Sequence, residues 1–149
     1  MRAVVQRVLS ASVEVDGQVL GSIGRGLVAF VGAAEGDGDE DMHYTIGKMV
    51  GLRVFPDESG KMTRSLAEIG GEMLAISQFT VFGDVRRGLR PSFDGAMAYD
   101  VAEPLWHRFL AELRAHGIRV ETGRFRADMK VRVENDGPVT ILIDSRKAF

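Results

Sequence analysis

The first part of the chain carries apolar residues in patterns typical of β-strands. Ala3 to Val8 is largely apolar and β-branched, and Val13 and Val15 flank a polar residue, as in a half-buried strand. Asp16-Gly17 follows, and this pair favours a hairpin because both turn positions must tolerate positive φ. Gln18 to Ile23 is therefore the predicted returning strand.

The next segments predict a buried strand, a helix and a short strand. Gly26 to Gly32 is a nearly continuous apolar run, which fits a strand covered on both faces. The acidic residues Asp39 to Asp41 suit a helix N-terminus, because the helix dipole favours anions there. Apolar residues then repeat at helical spacing, namely Met42, Ile46, Met49 and Val50. Arg53 to Phe55 predicts a short strand, which ends in the turn-forming residues Pro56 to Gly60.

The segment from Met73 to Phe82 predicts a strand whose second half becomes polar. Side chains alternate between the two faces of a strand. We therefore expect Ser77 and Phe79 to share one face, and Gln78 and Thr80 to share the other. This strand end would offer hydroxyls, an amide and backbone N–H groups to a ligand. On these residues alone, an ordinary strand leaving the core is the better interpretation.

A second helix is predicted from Glu103 to His116. Pro104 would lie near the first turn, where a missing N–H costs nothing, and Gly117 suits the position just after the helix end. The helix has an apolar stripe at the expected spacing, formed by Trp106, Phe109, Leu110 and Leu113. We expect this stripe to be buried.

The chain ends in residues that again predict strands. Met129, Val131 and Val133 alternate with charged residues, Asn135 to Pro138 interrupts, and Val139 to Ile143 resumes the apolar pattern. The interruption is rich in turn-forming residues, so a tight turn between two strands is its simplest interpretation. Strands at both ends with two helices between them predict a single α+β domain, built on a largely antiparallel sheet or barrel.

Composition narrows the class of protein. A length of 149 residues fits one domain, and the absence of cysteine excludes disulfides, thiolate nucleophiles and Cys-ligated metals. The longest apolar run, Leu27 to Ala34, is far shorter than the roughly 20 residues of a membrane-spanning helix. Arg2, Gln6 and Arg7 break up the first residues, so we expect no signal peptide, no membrane association and a cytoplasmic location.

The charge is distributed unevenly along the chain. The formal net charge is −2, which by itself argues weakly against a nucleic-acid-binding protein. Residues 1–83 contain 7 basic and 11 acidic side chains, whereas residues 84–149 contain 12 and 10. The second part, with a net charge of +2, includes Arg86, Arg87 and Arg90 in one short segment. These three arginines are candidates for phosphate contacts, and solvated loop side chains are an equally good interpretation.

Motifs of common enzyme classes are absent. The sequence has no GxxxxGK[ST], no GxGxxG after a strand, no GxSxG and no HExxH. The three histidines, His43, His107 and His116, are spread over the two predicted helices, where structural or solvated roles are more common than catalytic ones. We therefore expect no metal or other cofactor, and a histidine-based triad is improbable.

Several short motifs occur together in a familiar combination. The whole chain resembles the D-aminoacyl-tRNA deacylase family, also called D-tyrosyl-tRNA deacylase. SQFT at Ser77 to Thr80 and NDGPVT at Asn135 to Thr140 are the most specific signals. The other motifs that carry the resemblance are MRAVVQRV, VDG, GKM, RS at Arg64-Ser65, GD, RPSF, AEPL, ETG and ADM.

The resemblance implies an activity and an assembly. The family hydrolyses the ester between a D-amino acid and tRNA, and it acts as a homodimer. Gly137-Pro138 is then expected to be a cis pair that reaches into the partner subunit's pocket and rejects L-amino acids. Arg7 would buttress this pair.

The resemblance also implies the composition of the pocket. Ser77, Gln78, Phe79 and Thr80 would line the catalytic pocket, with either the Thr80 side chain or the nearby backbone acting on the ester. The family's chemistry is understood to be assisted by the terminal 2′-OH of the RNA. The side chains that would line the pocket near the adenosine are Phe125, Ala127 and Met129.

General chemistry agrees with a deacylase that lacks an obvious triad. An aminoacyl ester is already activated, so its hydrolysis needs positioning and stabilisation of the developing oxyanion more than a strong base. Backbone N–H groups near Phe79 and Thr80 could supply this. The alternatives are a non-catalytic RNA-binding module that uses the same basic segment, and a small β-rich oligomer with a structural role.

The two residues of the Gly-Pro pair suit a steric filter. Gly137 brings no Cβ, so the backbone can approach a ligand closely, and Pro138 restricts the backbone. A rigid backbone that fills the space of an L side chain would reject L-amino acids without any contact to a D side chain. We therefore expect broad specificity among D-amino acids, and acceptance of Gly-tRNA because glycine has no side chain to clash.

Overall fold

The computed structural model describes all 149 residues, from Met1 to Phe149, and it confirms a single α+β domain with two helices. Two short 3₁₀ turns lie at Ala67–Ile69 and Phe79–Phe82. The strands and helices, in chain order, are β1 (Arg2–Val15), β2 (Gln18–Ile23), β3 (Gly26–Gly32), α1 (Asp39–Gly51), β4 (Phe55–Pro56), β5 (Met62–Arg64), β6 (Glu72–Ser77), α2 (Tyr99–Ala115), β7 (Val120–Thr122) and β8 (Lys130–Asp144).

The main sheet has six strands in the order β2-β1-β3-β6-β7, and β8 pairs with β1. Strand β1 is antiparallel to β2, β3 and β8, whereas β6 is parallel to both β3 and β7. The sheet curls until its edges approach each other. A Cβ on Gly21 of β2 would lie only 3.1 Å from the backbone oxygen of Thr122 on β7. Glycine at this position therefore lets the sheet come close to forming a barrel.

The long pairing of β1 with β8 is interrupted once by extra residues on β8. Gln6 faces Thr140, whereas Val8 faces Asn135, so Arg7 lies opposite a bulge of four residues, 136–139. The tight turn expected at Asn135 to Pro138 is therefore wrong, because the chain continues in the same direction along β1. A bulge lets a strand keep its partner on both sides of an insertion while projecting the extra residues outward.

Two apolar clusters occupy the two faces of the curled sheet. The larger one joins the sheet to both helices, through Met42, Ile46 and Met49 of α1 and the predicted stripe of α2. The smaller one lies inside the curl and contains Val8, Ala11, Val13, Ile23, Val28, Leu74 and Ile76. Strands β3 and β6 contribute to both clusters, which explains why the sequence of β3 is apolar at nearly every position.

The predicted element boundaries are accurate for β2 and β3 but not for α2. This helix begins at Tyr99, four residues before the predicted start at Glu103. Pro104 therefore lies inside the helix, in its second turn, where its missing N–H leaves the carbonyl of Asp100 without its usual intrahelical hydrogen bond. Gly117 has the positive φ of +77° expected after a helix end, and its N–H donates to the carbonyl of Arg114.

Charged groups tie the beginning of β1 to the end of β8. The Arg2 Nε lies 2.8 Å from Asp144 Oδ2, and the Asp144 carboxylate also accepts a hydrogen bond from the backbone N–H of Arg146. Burial by itself raises the pKa of the Asp144 carboxyl, but these hydrogen bonds outweigh it and hold the pKa below its usual range. No helix of the structure is long and apolar enough to cross a membrane.

We expect Asp144→Asn to destabilise the fold, because it leaves the Arg2 guanidinium without a countercharge at a mostly buried position. Removing one partner of a buried pair costs roughly 3–5 kcal/mol, and Arg2 retains some access to water, so about 2 kcal/mol is expected. Urea unfolding at neutral pH measures the change. The matched control is Asp39→Asn, which breaks an exposed pair with Arg108 and should cost less than about 1 kcal/mol.

The pair of Arg2 and Asp144 also predicts the direction in which stability changes with pH. Because the pKa of Asp144 is lowered on folding, its stabilisation is present above the unfolded pKa and is lost as the pH falls through the folded value. The difference in stability between the wild type and Asp144→Asn should therefore shrink in acid. A difference that stays constant down to the acid transition would contradict this account.

Candidate active site

A cavity of about 250 Å³ lies where the C-terminal ends of β3 and β6 meet the start of α2 and the segment before β8. The structure brings six of the predicted site residues together in its lining: Ser77, Gln78, Phe79, Phe125, Ala127 and Met129. Two charged side chains that the sequence did not single out, Arg126 and Asp128, also line it. The cavity is therefore mainly apolar with a few polar groups, which is usual for small-ligand sites.

The polypeptide leaves the sheet at Gln78, so the strand predicted to run to Phe82 ends at Ser77. The last ladder hydrogen bond runs from the Gln78 N–H to the carbonyl of Val31, and residues 79–82 then form a 3₁₀ turn. The expected alternation of faces after Ser77 is therefore wrong. The residues of the turn are apolar because they pack on neighbouring aromatic and sheet residues. Their apolar run therefore resembles a strand in the sequence.

The 3₁₀ turn presents backbone donors beside the cavity. The N–H of Val81 donates to the carbonyl of Gln78, which starts the turn. The two preceding N–H groups, of Phe79 and Thr80, have no acceptor within the turn, as at the start of any helix. Phe79 is held by edge-to-face contacts with Phe93 and Tyr99, with ring centroids 5.0 and 5.8 Å away. The turn thus combines free donor positions with a fixed aromatic anchor.

The side chain of Thr80 is exposed and does not line the cavity. Its hydroxyl accepts a hydrogen bond from the side-chain amide of Gln78. An amide is not a general base, and no histidine or carboxylate hydrogen-bonds to this hydroxyl. The geometry offers Thr80 no group that would activate it as a nucleophile.

Gly32, at the end of β3, is a positioning residue that the sequence reasoning missed. A Cβ at this position would lie 2.7 Å from the carbonyl oxygen of Gln78 and 2.6 Å from a methyl carbon of Val81. The turn can pack against β3 only because Gly32 has no side chain. A glycine that closes an apolar strand is the one sequence signal that could have indicated a close approach of another backbone.

Gly137 and Pro138 lie on the exposed bulge of β8 and do not line the cavity of their own chain. Their peptide bond is cis, and Gly137 has a φ of +120°, which L side chains rarely adopt. Arg7 lies beside them. A Cβ on Gly137 would be 3.1 Å from the Arg7 guanidinium and 2.8 Å from a methyl carbon of Val139.

Arg7 connects the bulge to the rest of the fold. Its Nη1 donates to the carbonyl of Val54 at 2.5 Å, and its Nε lies 3.0 Å from Asp136 Oδ2, an ion pair in which the N–H is not aimed at the carboxylate. The Asn135 side chain donates to the carbonyls of Arg7 and Val139, at 2.9 and 3.1 Å. These contacts fasten both ends of the bulge to β1.

The three candidate arginines line a second, wider groove of about 1030 Å³, to which Arg2 also contributes. Arg86 differs from the other two, because its guanidinium forms a bidentate pair with Asp84, at 2.5–3.1 Å. Hydrogen bonds from the Arg86 side chain and backbone hold the pKa of the Asp84 carboxyl well below its usual range. Arg87 and Arg90 have no ion pair or side-chain hydrogen bond within the chain, although the carboxylates of Asp84 and Asp94 also line the groove and the charge of Arg87 contributes to the lowered pKa of Asp84.

No group of three or more histidine, aspartate or glutamate side chains is arranged to hold a metal ion. His43 and His107 each lie near one glutamate on the helix surfaces, at 2.9 and 3.8 Å.

Comparison with known proteins bears directly on the cavity and the bulge. A family model described as D-Tyr-tRNA(Tyr) deacylase matches residues 4–144, and so it spans both the SQFT and the NDGPVT segments. The chain belongs to this family. A D-aminoacyl-tRNA deacylase from Sorangium cellulosum is 68% identical and one from Symbiobacterium thermophilum is 56% identical, each with the whole of this chain and 99–100% of the relative covered.

Solved structures of similar fold extend this result. The structure titled "c-Myc DNA Unwinding Element Binding Protein" has a TM-score of 0.91 and 40% identity, and the match covers 97% of this chain and 98% of that one. A second, titled as the analysis of a probable eukaryotic D-amino acid tRNA deacylase, has a TM-score of 0.82, 19% identity, and coverage of 96% and 98%. Because its identity is only 19%, the second structure supports the fold of this chain and nothing more.

We expect Gly32→Ala to displace the turn at residues 78–82, because the added methyl group would meet backbone and side-chain atoms of that turn. Overpacking of this kind costs roughly 1–3 kcal/mol. Urea unfolding measures the cost, and amide chemical shifts of the turn report the displacement. Gly24→Ala is the matched control, since a Cβ there meets nothing within 4 Å. Unchanged shifts in Gly32→Ala would show that the turn does not depend on this contact.

Proposed function

We propose that this protein hydrolyses the ester bond of D-aminoacyl-tRNA, without a metal, and releases the free amino acid and tRNA. The observation that carries the proposal is full-length identity of 51–68% with curated D-aminoacyl-tRNA deacylases. The arrangement of the cavity supports it, since an apolar pocket with adjacent backbone donors suits an activated ester. Its place in translation quality control, as a chiral proofreading enzyme, would be the cytoplasm, where aminoacyl-tRNA is used.

The proposed chemistry uses the backbone of the 3₁₀ turn. Water adds to the ester carbonyl carbon, and the negative charge that develops on the carbonyl oxygen is stabilised by the N–H groups of Phe79 and Thr80. The bond between this carbon and the ribose oxygen then breaks, and the ribose oxygen leaves with a proton. The terminal 2′-OH of the RNA is the group we expect to assist the water. Ser77 and Gln78 would shape this end of the cavity.

The remaining predicted residues would hold the terminal adenosine. Phe125, Ala127 and Met129 line the cavity from a single short segment. An aromatic ring, a methyl group and a thioether are apolar groups of the kind on which a nucleobase can pack. In this arrangement the adenosine fixes the ester carbonyl beside the 3₁₀ turn, which supplies the positioning that an activated ester needs.

We also propose a homodimer in which the bulge of one chain completes the cavity of the other. Gly137 and Pro138 are exposed and lie outside their own cavity, so a role in the chemistry requires a second chain. The outer face of β1 and β8 next to the bulge includes Leu142, whose side chain is 57% exposed, paired with Val4. Arg7 would set the position of the bulge as a positioning residue.

The groove lined by arginines is the proposed path of the tRNA backbone. Arg87 and Arg90 would bind phosphates, because neither has a carboxylate partner in the chain. Arg86 lines the same groove, and its ion pair with Asp84 holds this part of the groove in place. Phe79 lines the cavity and Phe82, at the other end of the same 3₁₀ turn, lines the groove, so an RNA end bound in the cavity would pass close to the groove.

A non-catalytic nucleic-acid-binding module is the second candidate function. The observation that favours it is the 40% identical solved structure whose title names a DNA-binding protein, together with the groove of arginines. Such a module would bind tRNA without releasing an amino acid. Hydrolysis is therefore the property that separates the two candidates.

We expect the purified protein to release D-tyrosine from D-Tyr-tRNA and glycine from Gly-tRNA, while L-Tyr-tRNA stays intact. The physical reason is that Gly137 and Pro138 would fill only the space of an L side chain, which D-tyrosine and glycine leave empty. The measurement is the release of labelled amino acid from each tRNA at one enzyme concentration. Uncatalysed hydrolysis of each ester is the control.

Three results would contradict parts of this proposal. Binding of D-Tyr-tRNA without release would favour the binding module. Resistance of Gly-tRNA at enzyme levels that clear D-Tyr-tRNA would replace steric rejection by positive recognition of the D side chain. Sedimentation of a fully active monomer at the assay concentration would exclude a cavity completed by a partner.

We expect Thr80→Ala to retain most of the activity, because the Thr80 hydroxyl has no activating base and its backbone N–H is unchanged by the substitution. Removing the 2′-OH of the terminal ribose from the tRNA should reduce kcat by more than this substitution does. Single-turnover hydrolysis of D-Tyr-tRNA measures both effects. Loss of activity in Thr80→Ala, with a covalent aminoacyl-Thr80 adduct seen by mass spectrometry, would make the hydroxyl a nucleophile.

A further inference from the structure

The segment Asp84–Ser92, called here the arginine loop, is a closed loop with a separate tip. Its ends are joined by two backbone hydrogen bonds between Asp84 and Ser92, at 2.8 and 2.9 Å. The Arg86 guanidinium and backbone N–H both bond to the Asp84 carboxylate, which fixes the ascending side. The tip, which includes Leu89, is therefore carried on a rigid base.

Leu89 at the tip is fully exposed, with a relative accessibility of 102%. No other large apolar side chain of the chain is exposed to this extent; the next, Phe149, reaches 67%. Its sequence neighbours on either side of the tip, Arg87 and Arg90, line the groove and have no carboxylate partner. An apolar side chain is thus presented to solvent between two free cations.

This combination suits a nucleic acid better than other partners. Phosphate groups pair with guanidinium groups, and every nucleobase offers an apolar face on which a side chain can pack. The groove and the cavity lie at neighbouring parts of the chain, since Phe82 and Gly83 line the groove and Phe79 lines the cavity. Four residues of a 3₁₀ turn span only about 8 Å, so one RNA end would reach both sites.

We propose that Leu89 packs against an exposed base face at the acceptor end of the substrate tRNA, while Arg87 and Arg90 hold neighbouring phosphates. The inference rests on the proposed function and adds a contact outside the cavity. Arg86 then acts as a positioning residue, because its side chain is engaged by Asp84 and shapes the loop. The class of ligand is the unpaired or terminal base of an RNA.

A contact of this kind strengthens binding of long substrates only. The terminal nucleoside ester enters the cavity but does not extend to the tip of the arginine loop. Leu89 should therefore influence the reaction of D-Tyr-tRNA and not that of D-tyrosyl-adenosine. An interaction made equally in the ground state and the transition state changes KM and leaves kcat unaffected.

The test compares Leu89→Ser, Leu89→Met and the control Val19→Ser on these two substrates. Val19 is an exposed apolar residue of β2 that lines neither the cavity nor the groove. We expect Leu89→Ser to raise KM for D-Tyr-tRNA about tenfold, which corresponds to about 1.4 kcal/mol and lies within the contribution of a buried leucine. Leu89→Met, which keeps an apolar side chain, should restore most of the affinity, and Val19→Ser should match the wild type.

Binding of uncharged tRNA gives a readout that does not depend on hydrolysis. Leu89→Ser should weaken it by a similar factor at every salt concentration. If the wild type binds tRNA but releases no amino acid, the deacylase function fails while the contact of Leu89 with RNA is still measured. If Leu89→Ser binds tRNA as the wild type does, or loses activity on both substrates equally, the inference is wrong.

Salt dependence separates Leu89 from the arginines. Each phosphate contact contributes about 0.7 to the slope of log K against log salt for single-stranded nucleic acid and about 0.9 for a duplex. Arg87→Ala and Arg90→Ala should each reduce the slope by about this amount, whereas Leu89→Ser should leave it unchanged. A reduction of the slope in Leu89→Ser, or none in either arginine variant, would contradict the proposed division of roles.

Discussion

The turn that borders the cavity depends on the missing side chain of Gly32. Strands β3 and β6 run parallel to each other as far as Val31 and Ser77, and Gln78, just after β6, makes the last hydrogen bond of the ladder. Beyond it, the chain folds back over the end of β3 at a distance that a Cβ would obstruct. The lining of the cavity by Ser77, the location of its backbone donors and the start of the groove all follow from this one close approach.

A second constraint acts through the pairing of β1 with β8. Both strands are long, and their pairing resumes on each side of the four-residue bulge, so the inserted residues must project outward. Arg7 occupies the position opposite the bulge and binds the carbonyl of Val54 as well as contacting Asp136. The Gly-Pro pair is therefore displayed at a defined place although it lies on the surface. Because it lies outside its own cavity, its proposed role needs a second subunit.

Most of the fold was predictable because local patterns and tertiary packing agree. The hairpin at Asp16-Gly17, the buried β3 and the start of α1 all have signals that act over a few residues. The predictions are wrong where contacts with residues far away in the sequence determine the local structure. Residues 79–82 are apolar and resemble a strand, but they pack on Phe93, Tyr99 and β3 from a 3₁₀ turn. The residues around Gly137 have the composition of a turn, yet their partner strand holds them in a bulge.

For the candidate site, the motifs predicted six of the residues that meet in the cavity, but the side chain of Thr80 lies outside it, and the residues that support the cavity were not predicted. Arg126 and Tyr99, whose side chains stack 4.5 Å apart, come from separate segments and carry no sequence signal. The pairing of Arg86 with Asp84 could not be predicted either, because the three arginines of this loop look equivalent in the sequence. The roles proposed for these residues come from the family resemblance, because the residue patterns left them open.

The hydrogen bonds that close the base of the arginine loop separate the tip from the rest of the fold. The loop between Asp84 and Ser92 can be changed in sequence or lengthened without moving the aromatic anchor of the 3₁₀ turn. The reason is that the hydrogen bonds at the base hold the two ends of the loop together. Insertions into such loops cost little conformational entropy. If the arginine loop binds RNA as proposed, changes at its tip would alter which RNA ends the protein prefers without altering the residues of the cavity.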